Sequence, residues 1–200
     1  MLDIKEIIGI ITVVLGVIGY IPYLKDTVAG KTKPHVYTWF VWSLVAFIVF
    51  ALQISDEAGA GAWVTLVAGI LSFLIFLLGL KRGDKDITTS DTAFFIAALA
   101  ALVLWLVAGQ PIVSITLLVT VGILGFLPTL RKSWNKPHSE TLSTYAINAA
   151  RHGLSVFALS EYTVVTWLFP VAWGFANALF VLIILLRRNK KISSKYDSSI

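Results

Sequence analysis

The sequence predicts an all-α integral membrane protein, with seven transmembrane helices forming two parallel three-helix repeats joined by a linker helix. Three observations carry this expectation. First, the chain is 58% hydrophobic and 14% charged, with a mean hydropathy of +0.85. Soluble domains run about half apolar and about a quarter charged. Second, seven apolar segments approach the ~20 residues that a helix needs to cross a ~30 Å hydrocarbon core at ~1.5 Å per residue. Third, one stretch occurs twice. Its first copy reads Gly16-Val-Ile-Gly19-Tyr-Ile-Pro22-Tyr-Leu24-Lys25 and leads to Lys33-Pro34-His35. Its second reads Gly122-Ile-Leu-Gly125-Phe-Leu-Pro128-Thr-Leu130-Arg131 and leads to Lys136-Pro137-His138. An internal repeat shapes the whole fold.

The seven segments cover residues 7–24, 36–54, 60–80, 92–108, 111–130, 141–159 and 163–186. Helices are the expected solution, because open strands leave backbone groups unpaired in lipid. The first segment is expected as a retained helix rather than a signal peptide. Asp3, Lys5 and Glu6 are mixed in sign, the apolar run is long, and no small-residue cleavage site follows it.

Charge supports a count of seven. Lys25, Lys31 and Lys33 lie between segments one and two, and Lys81, Arg82 and Lys85 between three and four. Arg131, Lys132 and Lys136 lie between five and six, and Arg187, Arg188, Lys190, Lys191 and Lys195 follow the last. Seven spans put all four groups on one side. The other side shows Lys5 but otherwise Asp3, Glu6, Asp56, Glu57 and Glu161. The positive-inside rule then places the N-terminus outside and the C-terminus in the cytoplasm; in a bacterium the membrane would be the plasma (inner) membrane. The formal charge of +5 is read as loop charge of this kind and not as a nucleic-acid footprint.

On this map the repeat divides the chain into residues 1–86 (first three-helix unit), 87–110 (linker helix), 111–188 (second unit) and 189–200 (a polar, mobile cytoplasmic tail). Two units in the same orientation require an odd linker, and parallel repeats about the membrane normal are one transporter plan.

Enzyme chemistry finds no footing. The absence of cysteine removes disulfides and thiolate metal or redox sites, and three scattered histidines do not suggest a metal cluster. There is no Gly-rich phosphate loop, HExxH pair or Ser/His/acid spacing, and no lysine inside the seventh segment to form a Schiff base. The expected protein is therefore not an enzyme and carries no cofactor. Its partners are a small-molecule substrate and the lipid bilayer, with room for a homo-oligomer.

Candidate functional residues cluster late in the chain. In the sixth segment Thr141, Thr144, Tyr145, Asn148, Arg151, His152 and Ser155 recur every three or four residues, which places them on one helical stripe. Arg151 is the only basic residue outside the termini and the basic loops. A charge in the membrane costs about 2.5–3.5 kcal/mol on insertion scales, so it faces a bundle interior or a wet cavity. With His152 it makes a site for an anionic or polar substrate or part of a proton-linked switch. The competing reading is an arginine that snorkels to the surface beside Glu161 or Asp56. In the seventh segment Trp173 and Asn177 stand one turn apart, offering a stacking surface and an amide; alternatively Asn177 is an interhelical bond. In the second, Trp39 fits an interfacial aromatic belt, and Trp42 lies deeper as a ligand contact. Pro22 and Pro128 either end their helices or kink them as paired gating hinges.

Two three-helix halves, a linker helix and a proline at the inner end of the first and fifth segments resemble the PQ-loop superfamily, which includes the SWEET-type sugar transporters. Tyr23 and Thr129 stand where that family often has glutamine after the proline. The resemblance implies sugar contact by an asparagine on the third helix of each half. Asn177 matches in the second half, while the third segment has only Thr65 and Ser72 as polar residues. Trp39-Phe-Val-Trp42 is similar to a tryptophan pair of the PnuC-type vitamin transporters. Arg151 is similar to the carboxylate-gripping arginine of a peptide-retrieval receptor in the same superfamily. Together these imply a transporter that moves a small polar metabolite (a sugar, amino acid or vitamin-like compound) by alternating access. The alternative is a non-transporting membrane receptor or structural subunit.

Overall fold

A computed structural model of the protein describes residues 2–197. Among them the regular structure is entirely helical: α1 (Ile4–Val28), α2 (Val36–Ser55), α3 (Trp63–Arg82), α4 (Thr89–Ala108), α5 (Pro111–Asn135), α6 (Leu142–Phe157) and α7 (Val164–Asp197), with a 3-10 turn, Gly59–Ala62, leading into α3. Local chemistry sets several starts. Asp3 accepts from the Glu6 amide while the Glu6 carboxylate accepts from the Asp3 amide, a reciprocal cap. Thr88 and Asp91 cap α4 in the same way, and Pro111 opens α5, where a missing N–H costs nothing.

Among the described residues five helical spans are long and apolar enough to cross a bilayer: Ile4–Val28, Val36–Ser55, Gly59–Arg82, Pro111–Asn135 and Val164–Asn189. They make the chain consistent with an integral multi-pass membrane protein. In α4 the apolar stretch recognised among the described residues is Thr89–Ala100. One of the seven expected spans, α6, falls short for a physical reason. α6 has 16 residues, so it reaches only about 24 Å, short of the ~30 Å core. It is held instead by burying its polar stripe: Thr144, Tyr145, Asn148, Arg151, His152 and Ser155 all face inward. α7 also runs further than expected. The residues assigned to a polar tail continue as helix to Asp197, and residues 198–200 of that tail lie outside the described residues.

Pro22 and Pro128 stand inside α1 and α5, which continue to Val28 and Asn135. They do not end their helices. Each removes an i→i−4 hydrogen bond, at the carbonyls of Ile18 and Leu124.

α3 packs against α1 and α2, α7 against α5 and α6, α1 against α6, α2 against α5, and α4 lies along α5. Glycine permits the close crossings. A Cβ on Gly19 would stand 2.6 Å from Ile147 Cγ2, and one on Gly125 would stand 2.7 Å from Val41 Cγ1. Gly19→Ala and Gly125→Ala are each expected to cost about 1–3 kcal/mol by overpacking. Thermal unfolding in detergent checks this, and trimming the neighbour (Ile147→Ala with Gly19→Ala) should recover part of the loss. The outward faces of α1 and α7 carry exposed Ile10, Val14, Ile18, Phe175, Leu182 and Leu186, as a lipid-facing surface requires.

Candidate functional site

The α1, α2, α3, α6 and α7 helices meet around a closed cavity of about 20 Å³, lined by Tyr20, Trp42, Ala46, Ala68, Ser72, Asn148, His152, Trp173 and Asn177. A water needs at least about 10–15 Å³, so the space holds one. The structure thus brings together five residues singled out from sequence: Trp42, Asn148, His152, Trp173 and Asn177.

Arg151 lies directly behind this wall and is 0% exposed. Its Nε donates to Asn148 Oδ1, Nη1 donates to the Val64 carbonyl at 3.2 Å, and Nη2 meets His152 Nε2 at 3.3 Å. The guanidinium also stands 5.6 Å from the Tyr20 ring centroid, within cation–π range. Gly16 makes room for it, since a Cβ there would sit 3.3 Å from Nη1. The snorkelling geometry is not adopted. Asp56 accepts from the Thr163 hydroxyl, the Glu161 carbonyl accepts from Thr166, and among the described residues no carboxylate forms an ion pair with Arg151.

The His152 tautomer follows from this bond. A guanidinium has no acceptor lone pair, so Nε2 accepts and the proton resides on Nδ1. That Nδ1 is buried without a partner, as is Asn177 Oδ1. Asn177 Nδ2 donates 2.8 Å to the Trp173 carbonyl on its own helix, so the interhelical bond considered from sequence is not made.

The tryptophans differ from expectation. Trp42 and Trp173 meet edge to face, 5.6 Å between centroids and 64° between planes, and form one continuous wall. Trp42 Nε1 donates to the Gly122 carbonyl at 3.1 Å. Trp39 is not a belt residue: it is 0% exposed, and its Nε1 donates 3.1 Å to Tyr23 Oη. Tyr145 is one layer removed from the cavity, donating 2.9 Å to Glu140 Oε2.

That layer closes the end of the bundle that carries the basic loops. Lys132 pairs with Glu140, both side chains at 0% exposure, and also donates to the Lys33 carbonyl. Arg188 donates to the Pro137 and Glu140 carbonyls at 2.8 and 2.9 Å. Nearby, Arg131 donates from Nε and Nη2 to the two oxygens of Asp91, each at 2.7 Å, in the bidentate geometry that favours arginine. On the surface, Lys136 meets Asp86 at 3.0 Å; this hydrogen bond lowers the Asp86 pKa and raises that of Lys136.

His35, ahead of α2, approaches Asp91 at 3.4 Å without an aligned hydrogen bond. Burial lowers its pKa, and the Asp91 charge only partly opposes this. A lowered folded-state pKa means the unfolded chain binds the proton more readily. Its contribution to stability is therefore full above the unfolded value of roughly 6.5 and declines as pH falls below it. His35→Gln is expected to flatten the acid side of the melting-temperature profile below about pH 6.5, and a pH series of thermal melts checks this.

Sequence reasoning missed Lys132, Glu140, Asp91, Tyr20 and Tyr23. Thr88-x-x-Asp91 was legible as a capping box, but no local pattern announces the Lys132–Glu140 pair across its loop. Comparison of the chain with protein-family models, curated proteins and solved structures gives no match.

Proposed function

We propose that this protein is a transporter of one small polar metabolite, working by alternating access between two three-helix halves, α1–α3 and α5–α7, with α4 as the linker. Such a plan resembles the PQ-loop superfamily. The observation that carries the reading is the closed polar cavity, walled from both halves and containing buried polar atoms without partners. Orphaned groups of this kind cost about 1–3 kcal/mol each, a cost that packing alone would select against.

The spacing of the lining residues supports a two-fold relation. Trp42 and Asn148, and Ala46 and His152, stand apart by the same step along the chain as Gly16 and Gly122 or Pro22 and Pro128. Ala68 and Trp173, and Ser72 and Asn177, stand apart by one residue less. The α1–α6 and α2–α5 contacts exchange under the same step. In such a plan the cavity would lie between the halves, where parallel-repeat carriers bind substrate.

In an occluded state of such a carrier, the Lys132–Glu140 pair would hold the basic-loop end together and the apolar cluster of Ala58, Ala62 and Leu159 the other. Pro22 and Pro128 lie between cavity and loops, where a weakened helix ladder would let the inner ends swing. With the basic loops inside, the N-terminus is outside and the C-terminus cytoplasmic.

The size of the cavity, about 20 Å³, favours a second reading, a receptor or structural subunit that never opens. Counterflow in proteoliposomes of the purified protein separates the two: a transporter exchanges labelled for unlabelled substrate and the subunit does not. Uptake that survives Asn177→Ala combined with Arg151→Ala would remove these residues from the site.

A further inference from the structure

The chemistry of the cavity narrows the ligand class, given the reading of the cavity as a ligand site. Three groups matter. The first is the buried guanidinium of Arg151, with no carboxylate partner among the described residues. Of its five N–H donors, three are accounted for by Asn148, Val64 and His152. An uncompensated charge at this depth is costly, and a bound anion would neutralise it. The second is His152. Arg151 donates into Nε2, which polarises the ring and strengthens Nδ1–H as a donor, and this donor is buried without a partner. The third is Asn177 Oδ1, a buried acceptor without a partner on a residue that lines the cavity and whose Nδ2 is committed to the Trp173 carbonyl.

An anionic acceptor together with one hydrogen-bond donor satisfies all three. An ammonium donor fits poorly, because no acidic side chain lines the cavity and Arg151 would repel it. The remaining wall is the Trp42 and Trp173 indoles, Ala46 and Ala68, and the Tyr20 and Ser72 hydroxyls, which lie 3.5 Å from each other; the apolar part suits a short carbon skeleton. We infer that the cavity takes a small hydroxycarboxylate. Its carboxylate rests on His152 Nδ1–H with Arg151 as counter-charge, and its hydroxyl donates to Asn177 Oδ1. Entry requires the wall to part, since the occluded cavity holds one water.

Thermal unfolding of the full-length protein in detergent tests this, because a ligand that binds the folded state raises the melting temperature. The probes are L-lactate, propionate (no hydroxyl), lactamide (no charge), L-alanine (ammonium in place of hydroxyl) and sodium chloride at equal ionic strength. Lactate is expected to bind about tenfold more tightly than propionate, the worth of one buried hydrogen bond, with no response to lactamide, alanine or chloride. Asn177→Leu should equalise lactate and propionate, and Arg151→Gln should abolish both. Should Arg151→Gln fail to fold, Asn177→Leu still decides.

An equal shift with lactamide, a shift with chloride alone, or no shift with either carboxylate would overturn the inference. Binding requires the wall to part but no exchange of access between the two sides, so the two proposals fail separately. Lactate binding without counterflow removes transport and leaves the ligand class standing. Counterflow of a neutral sugar with no carboxylate response does the reverse.

Discussion

Replacing Glu140 by glutamine is expected to lower stability by about 3–5 kcal/mol, because it leaves the buried Lys132 ammonium without its counter-charge. The pair is wholly enclosed, and the Tyr145 hydroxyl also donates to the Glu140 carboxylate, so the change disturbs α5 and α6 together. Replacing both ions at once behaves differently. Lys132→Met with Glu140→Leu removes the desolvation cost of two charges, and such replacements are often neutral or stabilising. Thermal melts of the two single variants and the double variant form a cycle that isolates the coupling. Single losses that simply add in the double variant would show that the two side chains do not stabilise each other. In a carrier the pair is also the closed gate at the basic-loop end, so Glu140→Gln should shift the population toward the state open there.

Arg151→Met is expected to leave stability close to that of the parent while abolishing ligand binding. Two effects of similar size oppose each other. Removing an uncompensated buried charge in favour of an apolar side chain of similar length is worth about 1–4 kcal/mol in favourable cases. Stranding Asn148 Oδ1 and the second contact on the Val64 carbonyl costs about 1–3 kcal/mol. Arg151→Ala should be worse, because the emptied volume between α1, α3 and α6 adds a cavity cost and brings the total to about 2–5 kcal/mol. Melting temperatures of the two variants, measured with and without ligand, check this. A purely structural arginine predicts the opposite: a large loss in Arg151→Met with the ligand response retained by whatever folds.

Much of the fold was legible in the sequence because hydropathy and loop charge act locally. Apart from the C-terminal extension of α7, every helix falls within a few residues of an apolar segment, and α1, α2, α3, α5 and α7 carry the composition of spans. α6 was legible for another reason: its polar residues keep helical spacing, so their shared burial followed from period alone. Five of the predicted contacts do line one cavity. The failures were all of depth and partner. Trp39 looked interfacial because sequence distance from the loop was taken as depth, whereas Tyr23 and Trp42 enclose it. Glu140 carries no mark in the sequence because its partner Lys132 lies across the turn between α5 and α6. Tyr20 reaches the cavity from α1, and nothing in the spacing of α1 marks that tyrosine over its neighbours.

In a carrier of this kind the cavity opens alternately to the two sides. The chain contains no cysteine, so a single Ser72→Cys substitution places the only thiol in the protein on the cavity wall. The measurement is its labelling by a membrane-impermeant thiol reagent applied from each face of oriented proteoliposomes. Alternating access predicts labelling from both faces, slowed from both by saturating ligand. Labelling from neither face, or from one face only, would contradict it.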